Sequence, residues 1–325
     1  MEKPENSMIV IFGASGDLTQ RKLMPSLFEL FRQDLLPEKM AILGVSRTGF
    51  SDETFREQIT ESVKEHSERR PVDVDLLSRF ACSLHYQAID TSNPDDYGKL
   101  KTRITAMAAG SGIPENCLFY LSTPPSLYEL IPECLSRHGL HIEKNGNWKR
   151  IIIEKPFGRD LISARVLNEK IHSCFNEHQI FRIDHYLGKE TVQNILALRF
   201  ANGIFEPLWN RNYVDHVELT AAEHIGVGNR GGYYEQAGVL RDMIQNHLLQ
   251  VLGIIAMEPP SRFSADAVRS EAAKVFDAIE PIARDRVAEF VVRGQYTGST
   301  IKGEKVPGYR EEKDVSPESR IESFA

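Results

Sequence analysis

Short apolar runs alternate with helical patterns through the first half of the chain, and no other feature restricts the fold as strongly. SMIVIFGAS, from Ser7 to Ser15, is a Val/Ile/Phe run closed by glycine, the pattern of a strand buried on both faces. A helical pattern follows from Asp17 to about Arg32, with Leu23, Leu27, Leu30 and Phe31 on one stripe. The strand pattern returns in MAILGVS (Met40–Ser46), CLFYLS (Cys117–Ser122), KRIIIE (Lys149–Glu154) and IFRID (Ile180–Asp184). The helical pattern returns at Pro125–His138, opened by proline, and from Leu161 to about Phe175. Between about 50 and 115 the chain reads as two or three helices around one strand, LHYQAI. Strands alternating with helices through short turns predict a doubly wound, mostly parallel sheet.

The second half has a different texture. A helix reads from about Lys189 to Phe200, and VDHVELTAAE (Val214–Glu223) alternates in the manner of an antiparallel strand. A long helix spans about Tyr234 to Ile255, another spans Ala265 to Ala278, and AEFVVRGQY reads as a final strand. This is α+β in character. A chain of 325 residues exceeds one ordinary core. The expected division is a nucleotide-binding domain over 1–180 and a partial α+β domain over 181–325. A single late strand followed by the polar tail GYREEKDVSPESRIESFA leaves an unfinished sheet.

Composition excludes several classes. Acids exceed bases 46 to 39, a net charge of −7, which argues against a general nucleic-acid binder. A local basic pocket for an anionic substrate stays compatible with that balance. Residues 1–8 lack the apolar run of a signal peptide, and no window approaches a membrane span. Cys82, Cys117, Cys134 and Cys174 are not spaced as metal ligands, so reduced thiols in a cytoplasmic protein are expected.

Four stretches carry candidate chemistry. GASGDL (Gly13–Leu18) joins the first strand to the first helix. Gly13 suits a tight turn, and Gly16 suits close approach of a pyrophosphate to a helix N-terminus. Its G-x-x-G spacing falls short of the full dinucleotide fingerprint, and a helix-capping turn has the same composition. The second strand ends in Ser46, Arg47 and Thr48 where an NAD site usually carries an acid, which favours a 2′-phosphate and hence NADP over the alternative of a solvated turn arginine. EKPFG (Glu154–Gly158) ends a buried strand in charge; Lys155 there fits a ligand contact or a solvated turn lysine before a breaker, and the Lys155–Pro156 bond suits a cis form in a tight turn. In RGGYYEQAGVLRDMIQNHLLQVLG, His247 shares the apolar stripe of Leu240, Ile244, Leu248, Val251 and Ile255. A core histidine satisfied by backbone and a general base needing an acidic partner both fit that position. RIDHYLGKE (Arg182–Glu190) is too polar for a core strand and too well equipped for a solvated bend.

In this order and spacing, GASGDLTQRKLMPSLF, EKPFGRDL, RIDHYLGKE and RGGYYEQAGVLRDMIQNHLLQ resemble the glucose-6-phosphate dehydrogenase family over the whole chain from Ile9. The resemblance implies a Rossmann-like coenzyme domain followed by a β+α domain with a mainly antiparallel sheet, incomplete in this chain. It implies oxidation of β-D-glucose 6-phosphate at C1 to the 6-phosphogluconolactone with hydride passing to NADP⁺, the first step of the oxidative pentose phosphate pathway, without a metal. By the same resemblance His247 is the base and Asp184 its orienting carboxylate. His185, Tyr186 and Lys189 take the substrate phosphate, with Gly188–Lys189 opening a helix. Lys155 touches both substrate and coenzyme, and Glu223 and Asp242 take sugar hydroxyls. Gly13, Gly16, Asp17, Leu18, Ser46 and Arg47 form the coenzyme site. Full-length members are homodimers or homotetramers and continue through further strands and a basic segment. Relative to them this chain is expected to be truncated, with exposed sheet edges and weak turnover. Two alternatives remain: a non-catalytic NADP-binding derivative, and a sugar dehydrogenase of the glucose–fructose oxidoreductase type.

Overall fold

The computed structural model describes residues 3–223 and 225–325, so the first two residues of the N-terminal segment lie outside the described residues. The chain forms two compact units, Met1–Ile183 and Asp184–Ala325.

The first unit is built on six strands: β1 (Ser7–Phe12), β2 (Met40–Ser46), β3 (Leu84–Ala88), β4 (Cys117–Leu121), β5 (Lys149–Ile153) and β6 (Ile180–Arg182). Their spatial order is β3-β2-β1-β4-β5-β6, and every pair is parallel. The connecting helices are α1 (Met24–Arg32), α2 (Asp52–His66), α3 (Val74–Cys82), α4 (Tyr97–Ser111), α5 (Leu130–Arg137) and α6 (Leu161–His172). Both sheet faces are covered, which is why the strands read as continuous apolar runs. Met8, Val10 and Phe12 pack with Tyr97, Leu100, Ile104, Ile131 and Leu135, whereas Ile11 faces Phe28, Phe55, Ile59 and Phe80. The strand order reverses between β1 and β4. Their C-terminal ends therefore make the crevice where open α/β sheets bind ligands.

The second unit contains α7 (Glu190–Phe200), α8 (Gly231–Val239), α9 (Leu249–Ala256), α10 (Ala265–Ala278), the short α11 (Val287–Phe290) and a hairpin of β7 (Ser299–Ile301) and β8 (Glu304–Val306). The hairpin turns through Lys302 and Gly303, both at positive φ, as a two-residue turn requires. Its core joins Val192 and Leu196 of α7 to Val251 and Ile254 of α9 and to Met257. Two polar anchors reinforce that packing. Buried Arg199 donates to the Ile254 carbonyl at 2.9 Å, and the Trp209 indole donates to the Ile255 carbonyl at 2.8 Å.

Three expectations for this unit need correction. Val214–Glu223 is irregular and mostly exposed, because no described strand pairs with it to cover one face and satisfy its backbone. Ala288–Tyr296 does not form a strand either: Val287–Phe290 is a helical turn, and the antiparallel pairing beyond it is one bridge, Gly294–Phe324. The long helix expected over Tyr234–Ile255 is three pieces, α8, a π-helical segment Leu240–Leu248, and α9, with Gly238 non-helical at φ 66°, ψ 170°.

The polar tail holds this broken helix in place. Tyr309 is fully buried, and its hydroxyl donates to Glu235 of α8 at 2.7 Å; the Ser319 hydroxyl donates to the same carboxylate oxygen at 2.6 Å. The Val239 amide donates to the Glu322 carbonyl at 3.0 Å. Gly238 sits at φ +66°, where any other residue is strained, and a side chain there would also have to displace the Glu322 carboxylate 2.6 Å away.

Candidate functional site

The coenzyme candidates gather in the first unit at the β1/β4 crevice. Gly13 turns at φ +81°, and a Cβ there would lie 2.1 Å from the Ser122 carbonyl oxygen. The backbone after β1 thus runs directly against the loop after β4, where Thr19 Oγ1 donates to the Gly13 carbonyl and to Ser122 Oγ, each at 3.2 Å. Gly16 closes the turn, its amide donating to the Gly13 carbonyl at 2.9 Å, and Asp17 and Leu18 are exposed before the π-helical segment Thr19–Leu23 that leads into α1.

Ser46 and Arg47 separate in role at the end of β2. Arg47 is exposed, whereas Ser46 is buried and its hydroxyl bonds Ser15 Oγ at 2.9 Å and the Tyr86 hydroxyl at 2.7 Å. Thr48 Oγ1 donates to Ser15 Oγ at 3.1 Å. The hydroxyls at the ligand end of β1 and β2 therefore form one chain, Tyr86–Ser46–Ser15–Thr48. Sequence reasoning did not single out Ser15 or Tyr86. The signal for Ser15 was present, a hydroxyl inside the glycine turn, but Tyr86 reaches the group only through strand pairing.

The EKP turn has a structural frame of its own. Tyr120 of β4 donates to Glu154 at 2.5 Å, and burial followed by the Glu154 charge pushes that phenol far above its ordinary range, so it stays protonated. The Lys155–Pro156 peptide is cis, and Lys155 is half-exposed beyond it. Gly158 at φ +78° leads into α6, which Asp160 caps together with Ser163.

The second unit assembles the residues of RIDHYLGKE around His247. Asp184 to Lys189 run as consecutive tight turns, with the amides of Leu187, Gly188 and Lys189 bonding back to Asp184, His185 and Tyr186, and α7 opens at Lys189. His247 is fully buried in the π-helical segment. The i→i+5 bonding there, seen in the Leu249 amide donating to the Ile244 carbonyl, brings residues five apart toward one face. The buried positions are accordingly Asp242, His247 and Val251, rather than Leu240, Ile244 and Leu248, which are only partly covered.

His247 Nδ1 lies 2.6 Å from Asp184 Oδ1, which also accepts the Tyr186 amide at 2.9 Å. Burial works against charge on Asp184, but the hydrogen bonds from His247 and Tyr186 outweigh it and hold the carboxyl below its ordinary range. An ionised carboxylate only accepts, so the shared hydrogen belongs to Nδ1, and a neutral His247 carries its lone pair on Nε2. The imidazole plane is fixed as well. Tyr186 stacks on it with centroids 4.0 Å apart and planes 12° apart, and His185 meets it edge-on at 4.8 Å. Lys189 places its ammonium 3.4 Å from the Tyr186 ring centre.

The remaining two candidates are placed differently. Asp242 is buried, and its carboxylate takes hydrogens from Arg230 at 3.2 Å and Tyr233 at 3.0 Å, which brace the π segment against α8. Burial and the Asp242 charge push the Tyr233 phenol up and keep it a donor. Glu223 lies exposed in the irregular stretch, and no hydrogen bond among the described residues ties it to the His247–Asp184 pair.

Two family models account for almost the whole chain: the glucose-6-phosphate dehydrogenase NAD binding domain matches residues 10–194, and the C-terminal domain of the same enzyme matches residues 196–325. The chain belongs to the glucose-6-phosphate dehydrogenase family. It is 51% identical over 322 residues to the glucose-6-phosphate 1-dehydrogenase of Aggregatibacter actinomycetemcomitans, covering 99% of this chain and 64% of that protein. It is 51% identical over 318 residues to the enzyme of Treponema pallidum, covering 98% and 62%. A solved glucose-6-phosphate dehydrogenase in complex with its substrate glucose 6-phosphate superimposes with TM-score 0.87 at 36% identity, covering 99% of this chain and 64% of that one. The Mycobacterium avium enzyme superimposes with TM-score 0.81 at 34% identity. The chain thus spans under two thirds of the length of these relatives. The parallel six-stranded sheet followed by a region with a small antiparallel sheet agrees with the fold expected from the sequence.

Proposed function

We propose that this chain oxidises β-D-glucose 6-phosphate at C1 to 6-phospho-D-glucono-1,5-lactone, with NADP⁺ as acceptor, in the cytoplasm. The observation that carries the reading is the buried His247–Asp184 pair at 2.6 Å, with His185, Tyr186 and Lys189 gathered beside it. His247 Nε2 takes the C1 hydroxyl proton, and Asp184 stabilises the imidazolium that results. Loss of that proton builds alkoxide character at C1, which favours departure of the C1 hydrogen as hydride. The His185 imidazole, the Tyr186 hydroxyl and the Lys189 ammonium are the donors for the substrate phosphate, and an ammonium on a dianion is a strong, charge-assisted bond. Glu223 and Asp242 are assigned to sugar hydroxyls by resemblance. Asp242 acts there from a buried position, so its contribution includes bracing the π segment.

The first unit fits a dinucleotide. A glycine turn that no side chain can fill lies at the topological switch point, and a hydroxyl chain with exposed Arg47 stands at the end of β2. Gly13, Gly16, Asp17 and Leu18 are assigned to the pyrophosphate turn, Ser46 and Arg47 to the ribose 2′-phosphate, and Lys155 to both ligands. When bound, NADP⁺ supplies the hydride acceptor. Domain limits of 1–180 and 181–325 are proposed on the same basis.

The test is NADPH formation, followed by its absorbance, by the 325-residue chain with glucose 6-phosphate, compared with glucose and with the His247→Asn variant. Turnover that prefers the phosphorylated sugar and vanishes with His247→Asn supports the reading. Equal turnover of glucose points instead to an oxidoreductase of the glucose–fructose type. A second reading, a coenzyme-binding derivative with little or no turnover, is favoured by the exposed apolar side chains of the second unit, among them Ile204, Ile225, Phe263 and Val292. NADP⁺ binding without turnover would select it. Sedimentation of the chain decides whether it forms the homodimer or homotetramer expected by resemblance.

A further inference from the structure

Asp184, His185 and His247 each offer one ligand atom, and the three atoms lie within 4.8 Å of one another. The proposed reaction uses these side chains as orienting carboxylate, phosphate donor and base, yet together they make a donor set of two imidazoles and one carboxylate. We propose that this trio also binds a divalent transition-metal ion of the zinc class, and that the bound ion shuts the site.

Donor chemistry selects the ion. Two imidazole nitrogens with one carboxylate suit zinc, cobalt, nickel or copper, whereas magnesium and calcium prefer oxygen-only shells. Three protein ligands leave one position of a tetrahedral ion open for water or an anion. The carboxylate is ready to serve: Asp184 faces His247 Nδ1 at 2.6 Å, so the ion takes the place of the hydrogen the pair shares, and Asp184 Oδ2 is buried without a hydrogen-bond partner. The rings are ready as well, since Tyr186 stacking holds the His247 plane while His185 stands exposed at the edge. Ligand atoms sharing one zinc at its usual bond lengths sit about 3.3 Å apart. The 4.8 Å span therefore closes by about 1.5 Å, within reach of a rotamer change at exposed His185.

With the ion on Nδ1, the one hydrogen of the neutral His247 ring sits on Nε2, which then cannot accept a proton from a sugar hydroxyl. It also removes His185 from the phosphate. The ion therefore competes with substrate at both ends of the site. The inhibition rests on the proposed dehydrogenase function, but the binding does not.

Co²⁺ titration of the 325-residue chain, followed by visible d–d absorption, reads binding without turnover. The expected result is one equivalent bound with the intense bands of a four-coordinate ion. His185→Asn and His247→Asn should each weaken it by more than roughly 100-fold, beyond the loss of an outer-shell partner. His185 is exposed, so its variant keeps the fold, which circular dichroism checks. Cys82→Ser, which removes an exposed thiol, should leave the binding unchanged. Unaltered Co²⁺ binding by His185→Asn, or none by the parent chain up to about 1 mM, overturns the proposal. In a chain that turns over, Zn²⁺ inhibits competitively with glucose 6-phosphate and a chelator restores the rate; noncompetitive inhibition counts against the site. A chain that binds Co²⁺ at these residues without any turnover would sink the dehydrogenase reading and leave the metal site standing.

Discussion

His247 Nδ1 and Asp184 Oδ1 stand 2.6 Å apart although 63 residues of chain separate them. The pair closes because α7 begins six residues after Asp184 and α9 begins two residues after His247, and these two helices pack through Val192, Leu196, Val251 and Ile254. An apolar contact between helices thus sets a polar distance at their starts.

Replacing His247 with Asn should lower kcat by about 10²–10⁴-fold while leaving NADP⁺ affinity unchanged, because the proposed role of His247 is that of a general base. Asp184→Asn should lower kcat over a similar range of about 10²–10⁴-fold, since an amide can donate to Nδ1 and favour the wrong tautomer. Steady-state rates and coenzyme titration by fluorescence check both. A fully active His247→Asn variant would remove the assigned base.

Lys189→Ala should raise KM for glucose 6-phosphate by about tenfold to hundredfold, with a smaller change in kcat. This follows from losing a charged hydrogen bond worth about 1.5–3 kcal/mol. Because Lys189 lies over the Tyr186 ring rather than on His247, the base keeps its stacking partner. A collapse of kcat with unchanged KM would contradict the assignment.

Gly13→Ala should destabilise the first unit by about 1–3 kcal/mol and abolish NADP⁺ binding. The added methyl meets both a positive φ and the Ser122 carbonyl, so relief requires moving the β1 turn away from the β4 loop. Thermal melts with and without NADP⁺ report the two effects: a variant that keeps the coenzyme-induced rise in Tm would displace Gly13 from the site.

Asp52 predicts a pH-dependent stability. Burial raises its carboxyl, but the Tyr86 amide at 2.8 Å and the Arg103 guanidinium at 2.6 Å hold it below its ordinary range. A depressed carboxyl stabilises the fold above its unfolded value and loses that contribution as pH falls through the folded one. Asp52→Asn should therefore cost about 1–3 kcal/mol at neutral pH, with the difference from the parent shrinking as pH drops below about 4. Urea melts at several pH values measure it, and a gap that widens on acidification would be inconsistent.

Gly238→Ala should weaken the second unit by about 1–3 kcal/mol, because the residue sits at φ 66° and faces the Glu322 carboxylate. Activity should fall with it, since the π segment carrying Asp242 and His247 starts two residues later. An unchanged melting temperature would show that the kink is not needed.

The sequence by itself determined the first unit nearly completely. Strands buried on both faces must be apolar along their whole length, and helices that cover them carry one apolar stripe, so local pattern and tertiary role coincide from Ser7 to Arg182. It also marked Asp184, His185, Tyr186, Lys189 and His247, because polar groups in apolar surroundings need partners. What local pattern cannot encode is whether a neighbour exists. Val214–Glu223 alternates like a strand yet has no described partner to pair with, and Ala288–Tyr296 opens in a helical turn and pairs only through the Gly294–Phe324 bridge. Helical periodicity likewise gave the wrong stripe after Gly238, because a π segment shifts the face and brings residues five apart, Asp242 and His247, to the buried side. Resemblance named Asp184 as the partner of His247, but only tertiary structure brings the two to 2.6 Å, and it alone decided that Asp242 accepts from Arg230 and Tyr233 and that Ser46 is bonded within the protein. In each case the deciding partner is remote in sequence, and a hydrogen bond constrains position only once packing has brought its two ends within 3 Å or so.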